Sequence, residues 1–311
     1  MAERVWIAKY FAPAAVSPGA AGLLDDVAEL ATGSDARIVT TDALIEGVHF
    51  LRSDPPETVA RKLVRVNVSD ILAKGARPSE ALLTLAWPQG RDEAELARFA
   101  EALTDELEHW NIQLLGGDTT SSPGGLFLSL TLTGVCGARG PVRRAGAREG
   151  DDLWVTGEIG AACLGFRALQ AGRPTDPFVK AYREPRLPFA AVAELVTDHA
   201  TAAMDVSDGL LGDARMLAAA SGRGVTIDLD AVPFAGRPAS LEDRLALASW
   251  GDDYQVLFAA PPTSANMVAE EAAEKGIQVA RIGLFRAGDG ITATSGGTLV
   301  NLPETLGFEH G

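Results

Sequence analysis

Residues 37–42 read RIVTTD, a stretch of strand-forming residues that ends on the carboxylate of Asp42. Similar arrangements recur along the chain: residues 112–118 read IQLLGGD, residues 204–209 read MDVSDG and residues 250–258 read WGDDYQVLF. Loops at strand ends are where α/β proteins place their binding sites, so these aspartates are the candidate functional residues.

Strands and amphipathic helices alternate around these motifs. Apolar residues recur at helical spacing in two segments, which predicts helices over 57–75 and 91–110. Alternating or continuous apolar runs predict strands at 37–41, 81–87, 112–115, 126–135, 153–155, 225–229 and 255–259. The pattern is typical of the α/β or α+β class.

A break in the pattern predicts two domains. Residues 137–150 read GARGPVRRAGAREG, which is rich in Gly and Arg, so we expect domains at 1–138 and 139–311. Residues 172–188 carry four prolines and are predicted to form a surface loop.

Composition excludes several classes of partner. The 311 residues include 27 Lys+Arg and 42 Asp+Glu, and the net charge of −15 argues against binding to nucleic acid or to an anionic membrane. The apolar runs are strand-sized, which predicts neither a signal peptide nor a membrane span. Cys136 and Cys163 form no C-x-x-C pair, so we expect small core residues in a reduced cytoplasm.

The aspartates are informative as a set. Asn67 and Asp70 share a face of the first predicted helix, and Asp25 and Asp26 are adjacent. Taken singly, each aspartate is more often a helix cap or turn former. Converging carboxylates need cations, and because the chain has no His or Cys grouping with transition-metal spacing, hard oxygen ligands favour Mg2+. Magnesium bridges carboxylates to phosphates, so the set indicates polyphosphate chemistry.

Weaker signals point the same way. Gly116 and Gly117 would let the backbone approach a phosphate closely, and Arg143 and Arg144 could clamp one, although a solvated loop is the better explanation of the arginines taken alone. The P-loop, protein-kinase, α/β-hydrolase and dinucleotide-binding motifs are all missing from the sequence.

At this point the motifs resemble those of the thiamine-monophosphate kinases, in the ATP-binding superfamily of aminoimidazole ribonucleotide synthetase and selenophosphate synthetase. The resemblance covers nearly the whole chain and keeps the family's order. The matching segments are LLDDVAEL, VTTDALIEGVHF, KLVRVNVSDILAKGARP, LLGGDTT, VRRAGAREGDDLWVTG, MDVSDGLLGDA, WGDDYQVLF and GFEH. The most specific pieces are TTDALIEGVHF and GGDTT together with DVSDGL.

The resemblance implies roles for named residues. Mg2+ would be bound by Asp26, Thr40, Thr41, Asp42, Asp70, Asp118, Asp205 and Asp208. ATP would contact Gly117, Asp118, Arg144 and Ser207, and thiamine monophosphate would contact His49, Asp252 and the ring of Phe308. Asp42, Asp70, Asp118 and Asp208 would be catalytic.

The resemblance also implies a fold and a reaction. The fold is two α/β domains with mixed sheets covered by helices, and the N-terminal domains pair in a homodimer with the ATP site near the subunit junction. The reaction is direct transfer of the ATP γ-phosphoryl group to thiamine monophosphate, giving thiamine diphosphate and ADP. The acceptor phosphate is already ionised, so no strong general base is needed.

Differences from the family pattern leave alternatives open. Leu24 stands where the family usually has Gly, Thr305 where an aromatic residue sometimes occurs, and residues 250–255 read WGDDYQ instead of GGEDYE. The alternatives are another ATP-dependent superfamily member with a different acceptor, or a binding protein without turnover. A structural role is also open for His49.

Overall fold

The structure is a computed structural model that describes residues 19, 22, 24–30, 36–188 and 190–308. Five strands form a first mixed sheet: β1 (Ala28–Leu30), β2 (Arg37–Ile45), β3 (Ala76–Pro88), β4 (Gln113–Ser122) and β5 (Phe127–Cys136). Their order is β1-β2-β5-β3-β4, and only β3 and β4 run parallel.

Among the described residues, the first half of the chain contains two helices, α1 (Pro56–Ala73) and α2 (Glu93–His109). Pro56 begins α1 where a missing backbone N–H is tolerated, and the Asp92 side chain caps α2 by accepting from the Ala94 N–H at 3.0 Å. Both predicted helices are confirmed to within two residues at each end.

Seven strands form a second mixed sheet, in which only β8 and β11 run parallel. The strands are β6 (Asp152–Thr156), β7 (Ala202–Asp205), β8 (Gly224–Asp228), β9 (Val256–Ala260), β10 (Val279–Arg286), β11 (Ile291–Ser295) and β12 (Thr298–Val300). Their order is β12-β11-β8-β10-β6-β9-β7. The helices are α3 (Ala161–Gln170), α4 (Val179–Arg183), α5 (Val192–His199), α6 (Leu210–Ala220), α7 (Leu241–Ala248) and α8 (Ala265–Glu274), with a 3-10 turn at Pro262–Ser264.

Helix α1 lies between the two sheets. It packs on β2, β3 and β5 of the first sheet and also contacts β7, β9 and α5 of the second half. Most of its 18 residues are buried, including polar ones such as Lys62, Asn67 and Asp70. A buried polar side chain needs hydrogen-bond partners. The polar residues of this helix are therefore expected to find them in both halves of the chain.

The predicted mixed α/β class is confirmed, with one local error. The segment 172–188, predicted as a loop, contains α4, in which Val179 and Tyr182 are three residues apart and bury a shared face. The first sheet ends at Cys136 and the second begins at Asp152, and the domain limits 1–138 and 139–311 stay a prediction.

Two further expectations concern the environment of the chain. Within the described residues, no helix combines the length and apolar composition needed to cross a bilayer. Cys136 and Cys163 are both buried and free, as expected for small core residues.

Candidate active site

Strand β2 and helix α1 bring together four of the polar residues selected from the sequence. The Thr40 hydroxyl donates to Asp70 Oδ2 at 2.5 Å, and the Asp42 N–H donates to Asn67 Oδ1 at 3.0 Å. Asn67 Nδ2 donates in turn to the Leu63 carbonyl at 2.9 Å, which fixes the amide orientation. The spacing of three residues between Asn67 and Asp70 therefore points both side chains at β2.

Three carboxylates from distant segments meet at this point. Oxygens of Asp26, Asp70 and Asp205 all lie within 4.8 Å of one another. Asp205 ends β7 and accepts from the Ser69 hydroxyl at 2.8 Å, so α1 supplies one of the three acids and contacts a second. The Thr40 hydroxyl also lies 3.2 Å from the Asp26 carbonyl. We call Asp26, Asp70 and Asp205 the carboxylate cluster.

A buried lysine and a half-buried arginine lie beside this cluster. Lys74 and Arg144 both form ion pairs with Asp26, and Lys74 Nζ also lies 3.2 Å from Asp25 Oδ1. Lys74 is fully buried and donates to the Ala203 carbonyl at 2.7 Å, while the Arg144 backbone N–H donates to Asp25 Oδ2 at 3.0 Å. Arg144 is among the residues selected from the sequence and Lys74 is not, because a lysine at the end of a helix is common and does not by itself indicate a buried partner.

These cations compensate only part of the negative charge. Burial raises the pKa of Asp26, but Lys74 and Arg144 outweigh it and hold that pKa below its usual value. Burial raises the pKa of Asp42 to about 6, aided by Asp26 and Asp208, and that of Asp205 to about 7, aided by Asp26. Burial and three neighbouring carboxylates raise the pKa of Asp70 well above its usual value. Without another cation, the last three carboxyls hold protons more tightly than free aspartates do.

The donor set fits a hard divalent cation. The cluster offers three carboxylate oxygens and lies beside the Thr40 hydroxyl. Such oxygen ligands suit Mg2+, whereas Zn2+ prefers nitrogen and sulfur.

The loop between β7 and α6 is held by a residue that the sequence analysis did not select. Asp213 Oδ2 accepts from the backbone N–H groups of Asp208 at 3.1 Å and Gly209 at 3.0 Å. The Asp208 carbonyl accepts from the Phe308 N–H at 2.8 Å, and the Ser207 carbonyl accepts from the Asp252 N–H at 2.8 Å. A carboxylate in the first turn of a helix is the local signal that could have identified Asp213.

The loops that carry His49 and Asp252 meet at a second buried lysine. Lys62 Nζ donates to Asp252 Oδ2 at 2.8 Å and to the His49 carbonyl at 2.9 Å. His49 Nδ1 accepts from the Ile45 N–H at 3.0 Å, which gives this ring a structural role whatever else it binds. The sequence analysis did not select Lys62.

Thr41 and Asp118 lie on the other face of the first sheet. The Thr41 hydroxyl lies 3.3 Å from the Ser129 hydroxyl and accepts from Thr131 at 3.1 Å. The register places Asp118 in one row with Thr84, Ser129 and Ala43, so its side chain shares the face of Ala43 rather than that of Asp42. Ala43 and Asp118 lie at the two ends of this row, three strand spacings or about 14 Å apart. The metal roles of both residues stay predictions.

The surroundings of Gly117 and Phe308, two predicted ligand contacts, are defined by backbone geometry. At Gly117, φ is 154° and a Cβ would lie 1.8 Å from the Leu83 carbonyl oxygen, so the sheet itself requires glycine there. Phe308 is 49% exposed, and its backbone bond to Asp208 places it beside the β7–α6 loop. The binding roles of both remain predictions.

A cavity of about 610 Å³ adjoins Asp252. Its walls include Arg65 of α1, Lys180 of α4, Arg186 and Gln255. This volume is in the range of sites for small organic ligands.

Comparisons with known proteins agree on one family. The model for the N-terminal domain of AIR synthase related proteins matches residues 24–136, and that for the C-terminal domain matches residues 148–296. A thiamine-monophosphate kinase from Caulobacter vibrioides is 40% identical over 307 residues, covering 94% of this chain and 86% of that relative. The structure of AaThiL complexed with AMPPCP and TMP has a TM-score of 0.77 at 29% identity and covers 91% of each chain. A thiamine-monophosphate kinase structure from Stenotrophomonas maltophilia has a TM-score of 0.76 at 30% identity, covering 88% of this chain and 92% of that one.

Proposed function

Because the chain belongs to the thiamine-monophosphate kinase family, we propose that it transfers the γ-phosphoryl group of ATP to thiamine monophosphate, giving thiamine diphosphate and ADP. The observation that carries this proposal is the carboxylate cluster, whose members come from three separate family motifs and meet within 4.8 Å. An acidic cluster of this kind needs cations, and phosphoryl transfer is a reaction that uses them.

We propose Mg2+ as the resident cation. Asp26, Asp70 and Asp205 would bind it, with Thr40, Asp42 and Asp208 close to the same position. Thr41 and Asp118 are included on the family resemblance alone. When bound, Mg2+ supplies neutralisation of phosphate charge and a bridge between the protein and the phosphates.

The chain's own residues would supply binding and orientation. Arg144 and the backbone around Ser207 would contact the nucleotide, and the loops of His49 and Asp252 would contact the acceptor. The acceptor oxygen is ionised, so it needs no general base. The site would act by positioning the two substrates and by compensating the negative charge of their phosphates.

The same enzyme would work as a homodimer in the cytoplasm. On the face of the first sheet opposite α1, Ile45, Leu82 and Phe127 are 41%, 48% and 37% exposed. Exposed apolar patches on a sheet mark interaction sites, and a second copy of this face is the occupant that the family resemblance implies. Leu82→Glu should then give a monomer in light scattering after gel filtration, and an unchanged mass would contradict the proposed surface. The free buried Cys136 and Cys163 support a reduced compartment.

The reaction is tested by ADP release from the purified protein with MgATP. We expect release that depends on thiamine monophosphate, is not supported by thiamine, and is abolished by EDTA and by Asp70→Asn. Mg2+-dependent ATP binding without release for this acceptor would contradict the proposal and favour another acceptor or a binding-only relative.

A further inference from the structure

One buried lysine connects two loops of the proposed acceptor site. Lys62 is 1% exposed, and its ammonium group contacts Asp252 Oδ2 at 2.8 Å and the His49 carbonyl at 2.9 Å. It also lies over the ring of Tyr182, 4.7 Å from the ring centre. A lysine is almost never this buried unless its charge is paired, so these contacts are what stabilise the ammonium group in a buried position.

The backbone at Asp252 needs such an anchor. Its φ is 69°, in the left-handed region that non-glycine residues adopt at a free-energy cost. Two contacts hold the residue there: its N–H donates to the Ser207 carbonyl at 2.8 Å, and its carboxylate pairs with Lys62. The Asp252 side chain remains 21% exposed, so the pair lies at the edge of the open site and the adjoining cavity.

The position of Lys62 on α1 relates this pair to the carboxylate cluster. Asp70 lies eight residues further along the same helix, which corresponds to about 12 Å along the helix axis. The helix is buried between both sheets, so it fixes the distance between the carboxylate cluster and the Lys62–Asp252 pair.

We propose that Lys62 is a positioning residue that determines acceptor binding. It fixes the Asp252 carboxylate and the His49 loop against α1, taking Oδ2 of Asp252 and leaving Oδ1 to the organic part of the acceptor. This inference rests on the proposed function. It predicts that Lys62 affects binding of thiamine monophosphate far more than binding of ATP, because Lys62 contacts the Asp252 carboxylate, whereas Ser207 of the proposed nucleotide loop contacts only the Asp252 backbone N–H.

The test compares steady-state constants for both substrates. Lys62→Met keeps the length of the side chain and removes its charge and donors, and we expect the KM for thiamine monophosphate to rise about tenfold while the KM for ATP changes less than about twofold. Asp252→Asn and the double variant complete a cycle. If Lys62 acts through Asp252, the double variant should raise this KM by less than the product of the two single effects.

Controls separate positioning from folding. Lys275→Met removes a lysine that pairs with Glu194 and Glu271 on α5 and α8, and it should leave both KM values unchanged. If Lys62→Met does not fold, Lys62→Gln retains a donor and should show a smaller rise for thiamine monophosphate alone.

Three outcomes would overturn the inference: an unchanged KM for thiamine monophosphate, an equal rise for both substrates, or single effects that multiply in the double variant. If the wild type shows no turnover, the proposed function has failed. The inference about Lys62 is then tested by calorimetric binding of thiamine monophosphate to the wild type and to Lys62→Met. Absence of any such binding by the wild type would refute both.

Discussion

Lys74 offers the most direct test of how the cluster is stabilised. Lys74→Met replaces the buried ammonium with a neutral side chain of similar length, so packing is largely kept while the ion pairs with Asp25 and Asp26 are lost. The bond to the Ala203 carbonyl is lost as well. The change thus leaves buried acceptors without a donor.

Removing one partner of a buried ion pair destabilises a protein by about 3–5 kcal/mol. Arg144 still pairs with Asp26 in the variant, which places the expected loss at the lower end, about 3 kcal/mol. For a chain of this size, that corresponds to a fall of about 5 °C in Tm. Saturating Mg2+ should recover part of the loss, because it gives the same carboxylates another cation.

The assay is urea or thermal unfolding of both proteins in EDTA and again in Mg2+. Lys275→Met is the control, since its ion pairs lie at the protein surface, where salt bridges contribute little to stability. A Lys74→Met protein that unfolds with the wild type in EDTA would refute the role assigned to this ammonium group.

Three further predictions concern stability. In EDTA, Asp42→Asn should gain about 3 kcal/mol of stability relative to the wild type as pH rises from about 4 to about 8. The reason is that the folded pKa of Asp42, about 6, exceeds its usual value, so ionisation of this carboxyl destabilises the wild type. Urea midpoints of the two proteins that keep a constant difference across this pH range would contradict the prediction. Asp213→Ala should lose about 2–3 kcal/mol in urea unfolding because two backbone N–H groups lose their acceptor, and Asp213→Asn should retain most of the stability; equal losses would contradict the cap. Gly117→Ala should lower Tm more than Gly116→Ala, because only the first methyl group meets a backbone atom, at 1.8 Å; the reverse order would contradict the β3–β4 register.

Local patterns in the sequence predicted the long elements of the first half of the chain best, while β10 and α8 of the second half were not predicted. The alternation in β5 and the apolar stripe of α2 define their own faces, so both elements could be placed within two residues. Strand β7 has only four residues and α4 only five, too few for either period to stand out.

The candidate site was predictable only in part. The resemblance selected Asp26, Asp70 and Asp205, and the structure brings these three together. Lys62 could not be selected because its partner Asp252 is 190 positions away, and no local pattern reports a contact over that distance.

The burial of α1 between both sheets has a consequence for biosynthesis. Its partners β7 and β9 follow it by well over 100 residues, so the ribosome has made most of the chain before they emerge. At roughly 5–20 residues per second, the helix waits for roughly 10–40 s with its second apolar side uncovered. Until β7 and β9 emerge, this side of α1 is an apolar surface of the kind that chaperones bind, and the length of the interval is set by translation of the second half of the chain.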